Sequence, residues 1–185
     1  MKIKALLLAT LFAFGFLTGM TQTVEKGDKI LNLGVGLGSA LYSGGYYKST
    51  LPPLSASLEV VVKDDLFDGN GALGLGAYVG YSSYKWEYSS WGYKYSNLIV
   101  GPRGYIHYGF MDKLDTYAGL FLGYNIATSK EFGNSIPGYD YTASSGGFIW
   151  SAFIGGRYYF TDKFAGMIEL GSGITYLNLG VALKF

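Results

Sequence analysis

The chain has 185 residues, with 14 basic and 13 acidic side chains, one histidine and a net charge of +1. That balance gives no signal for a nucleic-acid partner, and the lack of cysteine excludes disulfides, thiolate metal sites and a cysteine nucleophile. With 29 glycines, 18 tyrosines and 49% hydrophobic residues the chain is greasy for a soluble domain, yet beyond the first segment no apolar run approaches the ~20 residues of a membrane-crossing helix.

The first 21 residues read as a secretory signal peptide. Lys2 and Lys4 form a positive start, residues 5–17 are an apolar core, and small residues lead to a cut before Gln22. Residues 22–185 are then one exported domain.

Past residue 22 the pattern is two-residue alternation rather than helical periodicity. The first strand sets Leu31, Leu33, Val35 and Leu37 against Asn32, Gly34, Gly36 and Gly38. The second sets Leu54, Ala56, Leu58, Val60 and Val62 against Ser55, Ser57, Glu59 and Lys63. In the third, Leu73, Leu75, Ala77, Val79 and Tyr81 oppose Gly74, Gly76, Tyr78 and Gly80. In the fourth, Leu98, Val100, Ile106 and Tyr108 oppose Asn97, Arg103, Tyr105 and His107. The fifth opposes Ala118, Leu120, Leu122 and Tyr124 to Tyr117, Gly119, Phe121 and Gly123. The sixth opposes Trp150, Ala152, Ile154, Tyr158 and Phe160 to Ser151, Phe153, Gly155, Arg157 and Tyr159. A short seventh, about 165–173, separates Ile168 and Leu170 from Glu169 and Gly171. The eighth sets Leu177, Leu179, Val181, Leu183 and Phe185 against Asn178, Gly180, Ala182 and Lys184.

Strands of about ten residues suit tilted membrane-spanning strands. Long segments at 42–53, 83–95 and 128–147 alternate with short polar turns at 64–70, 109–115 and 161–164. Long loops at one end and short turns at the other mark an up-and-down transmembrane barrel. The predicted fold is therefore all-β, an eight-stranded antiparallel barrel with its lumen filled by side chains.

Three features assign the small and polar face to the lumen. The interior of eight strands barely admits side chains, so inward glycines leave room for Tyr78, Tyr105, Phe121 and Tyr159. Glu59, Arg103, Arg157 and Glu169 lie on that face near mid-strand, where they can form a structural charge network. An Arg facing lipid at the bilayer centre would cost roughly 2–4 kcal/mol instead. Arg157 and Glu169 flank one turn and are expected to pair, as are Glu59 and Arg103 across the lumen. Tyr81, Tyr108, Tyr124, Tyr158, Phe160 and Phe185 close the apolar face at strand ends, as interfacial rings do.

With G-P-R-G-Y (101–105) and G-G-R-Y-Y (155–159) in two like-oriented strands, and an alternating strand ending in Phe185, residues 22–185 resemble the small eight-stranded outer-membrane barrels of the OmpA/OmpX type. The resemblance implies insertion into a Gram-negative outer membrane among lipid and lipopolysaccharide. It also implies recognition of the final strand by the insertion machinery. It says little about activity, because that family spans structural proteins, adhesins and lipid-modifying enzymes.

No catalytic, metal or cofactor site emerges. His107 is the only histidine, sits toward the short-turn end, and has no Ser or Asp at a defined spacing, so it reads as a packed lumen or rim residue. D-D-L-F-D-G-N (64–70) lacks the ligand spacing of a calcium loop, and G-V-G-L-G-S carries its glycines at strand period with no helix after them. The Tyr/Trp/Ser/Gly-rich long segments have the composition of recognition surfaces. Trp86, Trp91, Tyr88, Tyr139 and Tyr141 are the candidate contacts for an extracellular protein or glycan. The expected role is structural or interactive, and not enzymatic. The alternatives are an outer-leaflet lipid-modifying enzyme and a secreted lipocalin-like carrier.

Overall fold

A computed structural model describes residues 23–38, 41, 47–88, 91–133, 142–171 and 173–185. The predicted signal peptide, Tyr139 and Tyr141 lie outside these residues. The strands are β1 (Lys29–Leu37), β2 (Tyr47–Leu66), β3 (Gly71–Tyr88), β4 (Trp91–Met111), β5 (Leu114–Gly133), β6 (Thr142–Tyr159), β7 (Phe164–Gly171) and β8 (Leu177–Lys184). They form one closed antiparallel barrel in chain order. β8 returns to β1 in unbroken register from Ile30 opposite Lys184 to Leu37 opposite Leu177. Closure leaves no open sheet edge, which hydrocarbon would not tolerate.

The pleat sorts the side chains as the alternation predicts. Glu59 and Arg157 are fully buried, while Leu120 is 61% and Leu122 63% exposed. Trp150, Ile154, Ile168 and Leu179 are exposed on the same outer face. A soluble eight-stranded carrier would reverse these faces. An apolar exterior continuous around a closed barrel is instead the surface that acyl chains cover. The chain is a transmembrane barrel.

Inward glycines are required where neighbouring backbone comes close. A Cβ on Gly180 would sit 2.0 Å from the Leu33 carbonyl oxygen and 2.9 Å from the Gly34 Cα, on the pair that seals β8 to β1. Backbone cannot yield as a side-chain tip can. Gly180→Val is expected to abolish closure, read as loss of the heat-dependent mobility shift that folded barrels show in detergent gels.

The lumen holds two apolar layers with polar groups between them. At the turn end, Val24 folds under the barrel against Ile30, Val61, Ala72, Tyr159, Ala165 and Ala182. The Gly27 amide donates to the Val61 carbonyl, and Lys184 Nζ donates to the Thr23 carbonyl, fixing this segment. Above lie Tyr78, Ile99, Tyr105, Tyr117, Phe121, Phe153 and Ile174.

Three expectations need correction. Segments 83–95 and 128–147 are for the most part not loops: β3 runs 18 residues to Tyr88, β4 21 residues from Trp91, and β5 20 residues to Gly133. Above the belt both faces of these strands are polar or aromatic, so the alternation that marks a half-apolar strand fades. Likewise 109–115 is not all turn. Met111 pairs with Leu114, so only Asp112 and Lys113 turn, with Lys113 in the left-handed region at φ 67°. Lys63, assigned to the lumen face, is exposed, because a bulge between Val61 and Lys63 shifts the pleat by one residue.

Candidate functional site

The buried charges lie on inward positions of five strands. Arg157 on β6 donates from Nη2 to Glu59 Oε2 at 2.6 Å and from Nη1 to Asp115 Oδ2 at 2.8 Å. Its Nε donates to Asn32 Oδ1 at 3.0 Å, and the guanidinium lies 4.3 Å from the Tyr117 ring centroid. His107 closes the circuit on the far side, with Nδ1 2.8 Å from Asp115 Oδ1 and Nε2 2.5 Å from Glu59 Oε1. Each carboxylate thus spends one oxygen on Arg157 and the other on His107. The result is a four-membered ring that links β2, β4, β5 and β6 across the lumen near the turn end.

A second pair sits nearer the outer end. Arg103 Nη1 bridges both oxygens of Glu169, at 3.1 and 3.0 Å. Its guanidinium is stacked between Tyr78 and Phe153, 4.0 and 4.2 Å from the ring centroids. Tyr117 Oη donates to Glu169 Oε2 at 3.2 Å. Such contacts, with hydrogen bonds to the remaining lone pairs, are what make buried ions tolerable.

All four predicted network residues are therefore inside, but the expected pairs are exchanged. The register explains this. Opposite Arg157 stand Asp115 on β5 and Met167 on β7, while Glu169 stands opposite Gly155, two residues nearer the outer end. Glu169 is thereby carried to the level of Arg103. His107 is packed in the lumen as expected, but its place in the ionic ring was not read from the sequence, and Asp115 was missed altogether. Asp115 continues the inward series Tyr117, Gly119, Phe121 by one step, a signal lost by counting it in the turn.

The lumen is blocked. The void beside Arg103, lined by Tyr78, Phe153, Glu169 and Ile174 among others, is about 10 Å³, at most the room of one water. Reconstituted protein is expected to give no stepwise conductance in a planar bilayer. Steady openings would show that the plug moves.

Above the belt, β3 and β4 continue as a paired ribbon whose inward side is aromatic. Trp86 faces Tyr93 in register and Tyr88 faces Trp91. Trp86 and Trp91 meet edge to face at 5.9 Å, and Trp91 meets Tyr93 at 5.1 Å. Trp91 Nε1 donates to Glu131 on β5. These two tryptophans are half-buried against one another, whereas Tyr88 near the tip is exposed. Among the described residues, no cluster of acidic and histidine side chains has the arrangement of a metal site.

No protein-family model matches the chain, and no curated protein matches its sequence. Solved structures similar to it include Ail, the attachment invasion locus protein of Yersinia pestis, bound to the heparin analogue sucrose octasulfate, at 13% identity and TM-score 0.48 over 86% of this chain and 96% of Ail. The N-terminal β-barrel domain of Pseudomonas aeruginosa OprF is 14% identical, at TM-score 0.46 over 87% of this chain and 98% of that domain. Neisserial surface protein A is 17% identical, at TM-score 0.45 over 85% of this chain and 96% of its own.

Proposed function

We propose that the protein is an outer-membrane barrel with a structural and surface-interaction role, exercised through the strands that rise above the bilayer. The observation that carries this reading is strand length. A spanning strand needs ~9–11 residues, yet β2 to β6 run from 18 to 21 residues. Most of the surplus lies at the end away from the short turns and carries Trp86, Trp91, Tyr93, Tyr95 and the exposed Tyr88. Rigid aromatic side chains on a paired ribbon give contact area at low entropic cost. An extracellular protein or glycan is the class of ligand such a surface suits.

The opposite end supports a non-enzymatic role. His107 is buried there, with both ring nitrogens held by carboxylates. An enzyme of the outer leaflet needs its base at the other end and open to substrate. A sequence-directed export signal and a lipid-facing exterior support the outer membrane as the location.

The reading is tested by shortening the β3–β4 ribbon at the Ser83–Ser96 pair with an Asn-Gly turn. The full chain and the shortened one are displayed on cells and offered to glycan arrays and immobilised matrix proteins. Retained membrane insertion with lost binding is the expected result. Equal binding by both, or binding by neither, would contradict it.

A further inference from the structure

The ionic ring in the lumen is one hydrogen short. Both ring nitrogens of His107 face carboxylate oxygens, Nδ1 at 2.8 Å from Asp115 Oδ1 and Nε2 at 2.5 Å from Glu59 Oε1. At such separations a nitrogen and an oxygen need a hydrogen between them, because two lone pairs in contact repel. A neutral imidazole carries a single N–H, and an ionised carboxylate carries no hydrogen. Neutral His107 between Glu59 and Asp115 would therefore bring one hydrogen to two gaps.

No neighbour supplies the second one. Arg157 is committed to the other oxygen of each carboxylate and, through Nε, to Asn32 on β1. In register beside His107 stand Ala72 on β3 and Tyr117 on β5. Tyr117 Oη donates to Glu169. The Tyr105 ring stacks at 6.0 Å from the imidazole, with its Oη donating to Ser57 on β2 at 3.4 Å. His107, Glu59, Asp115 and Arg157 are each at most 2% exposed, so bulk water does not enter the gaps.

Charge gives the same answer as the hydrogen count. With a neutral histidine, the ring sets the one positive charge of Arg157 against the two negative charges of Glu59 and Asp115. An uncompensated charge in a closed lumen is costly. One added proton makes the ring neutral and fills both gaps at once. Arg157 on the far oxygens favours the ionised form of both carboxylates, which leaves the imidazole to carry the proton.

We infer that the lumen plug is a binding site for one proton, carried on His107 and held between Glu59 and Asp115 as a structural ligand of the folded barrel. The hydrogen toward Glu59 ties β4 to β2 across the intervening strand, and the one toward Asp115 ties β4 to β5.

The test uses the full barrel in detergent micelles at mildly alkaline pH, where the histidine of an unfolded chain is neutral. Nuclear magnetic resonance of isotope-labelled histidine is expected to show a hydrogen on both ring nitrogens. Proton uptake is then read with an indicator dye as the chain refolds from urea into micelles at the same pH. The wild type is expected to take up one proton more per chain than Glu59→Gln, because the amide introduced at position 59 donates to Nε2 itself and still accepts from Arg157. Asp115→Asn is expected to release the proton in the same way at Nδ1. Heat-dependent gel mobility identifies which variants fold, and one folded variant suffices for the comparison. A single hydrogen on the wild-type imidazole would overturn the inference whatever the variants do. Equal uptake by the wild type and a folded variant would overturn it as well.

Discussion

Arg157→Ala is expected to cost the barrel about 3–5 kcal/mol, the usual loss when one partner of a buried ionic cluster is removed. The geometry explains the size. Arg157 is fully buried and donates to Glu59, Asp115 and Asn32 at once. Its removal leaves two buried carboxylates facing a single His107. Arg157→Lys keeps the charge but cannot donate in three fixed directions, so it is expected to recover only part of the loss. Trp86→Ala serves as the contrast. Its ring is half-buried above the belt, and the change is expected to cost about 1 kcal/mol, typical of single substitutions outside a core. Urea unfolding of the protein in lipid vesicles measures all three. Similar midpoints for Arg157→Ala and Trp86→Ala would mean that the ionic ring adds nothing to the fold.

Leu120→Arg is expected to cost roughly 2–4 kcal/mol, the penalty for a basic side chain near the bilayer midplane. Leu120 stands opposite Gly104 on one side and Ala152 on the other, so nothing large shields it from the surroundings. In a water-soluble domain, so exposed a leucine would accept arginine within about 0.5 kcal/mol. The substitution therefore separates lipid from water as the medium outside the barrel. Thr128→Arg, on the same strand and face but above the belt, is expected to be neutral in the same unfolding experiment. If both variants unfold alike, the exterior does not contact hydrocarbon.

The parts of the fold that follow from the pleat were legible in the sequence. Leu33, Leu58, Leu75 and Leu179 declare the outer face and Asn32, Glu59, Tyr105 and Arg157 the inner one, because a strand turns alternate residues to opposite sides. The partners of the charges were not legible. Which residue stands beside Arg157 depends on the stagger between strands, and the chain alone does not show that the β5 pairing delivers Asp115 there while Glu169 is carried toward Arg103. A single bulge was enough to misplace Lys63. The ribbons above the membrane were hidden for another reason: Tyr84 to Tyr95 lacks a purely apolar face, and so resembles a loop in composition.

The direction in which the two faces point is tested most directly by the fluorescence of Trp150, which projects from β6 within the apolar belt and is 73% exposed. With Trp86 and Trp91 replaced by Phe, it becomes the only indole in the chain. In bilayers whose acyl chains carry bromine, its emission should be strongly quenched, and aqueous acrylamide should have little effect. Strong quenching by acrylamide with none from the brominated lipid would place the leucine and valine rows away from the acyl chains and contradict the transmembrane barrel.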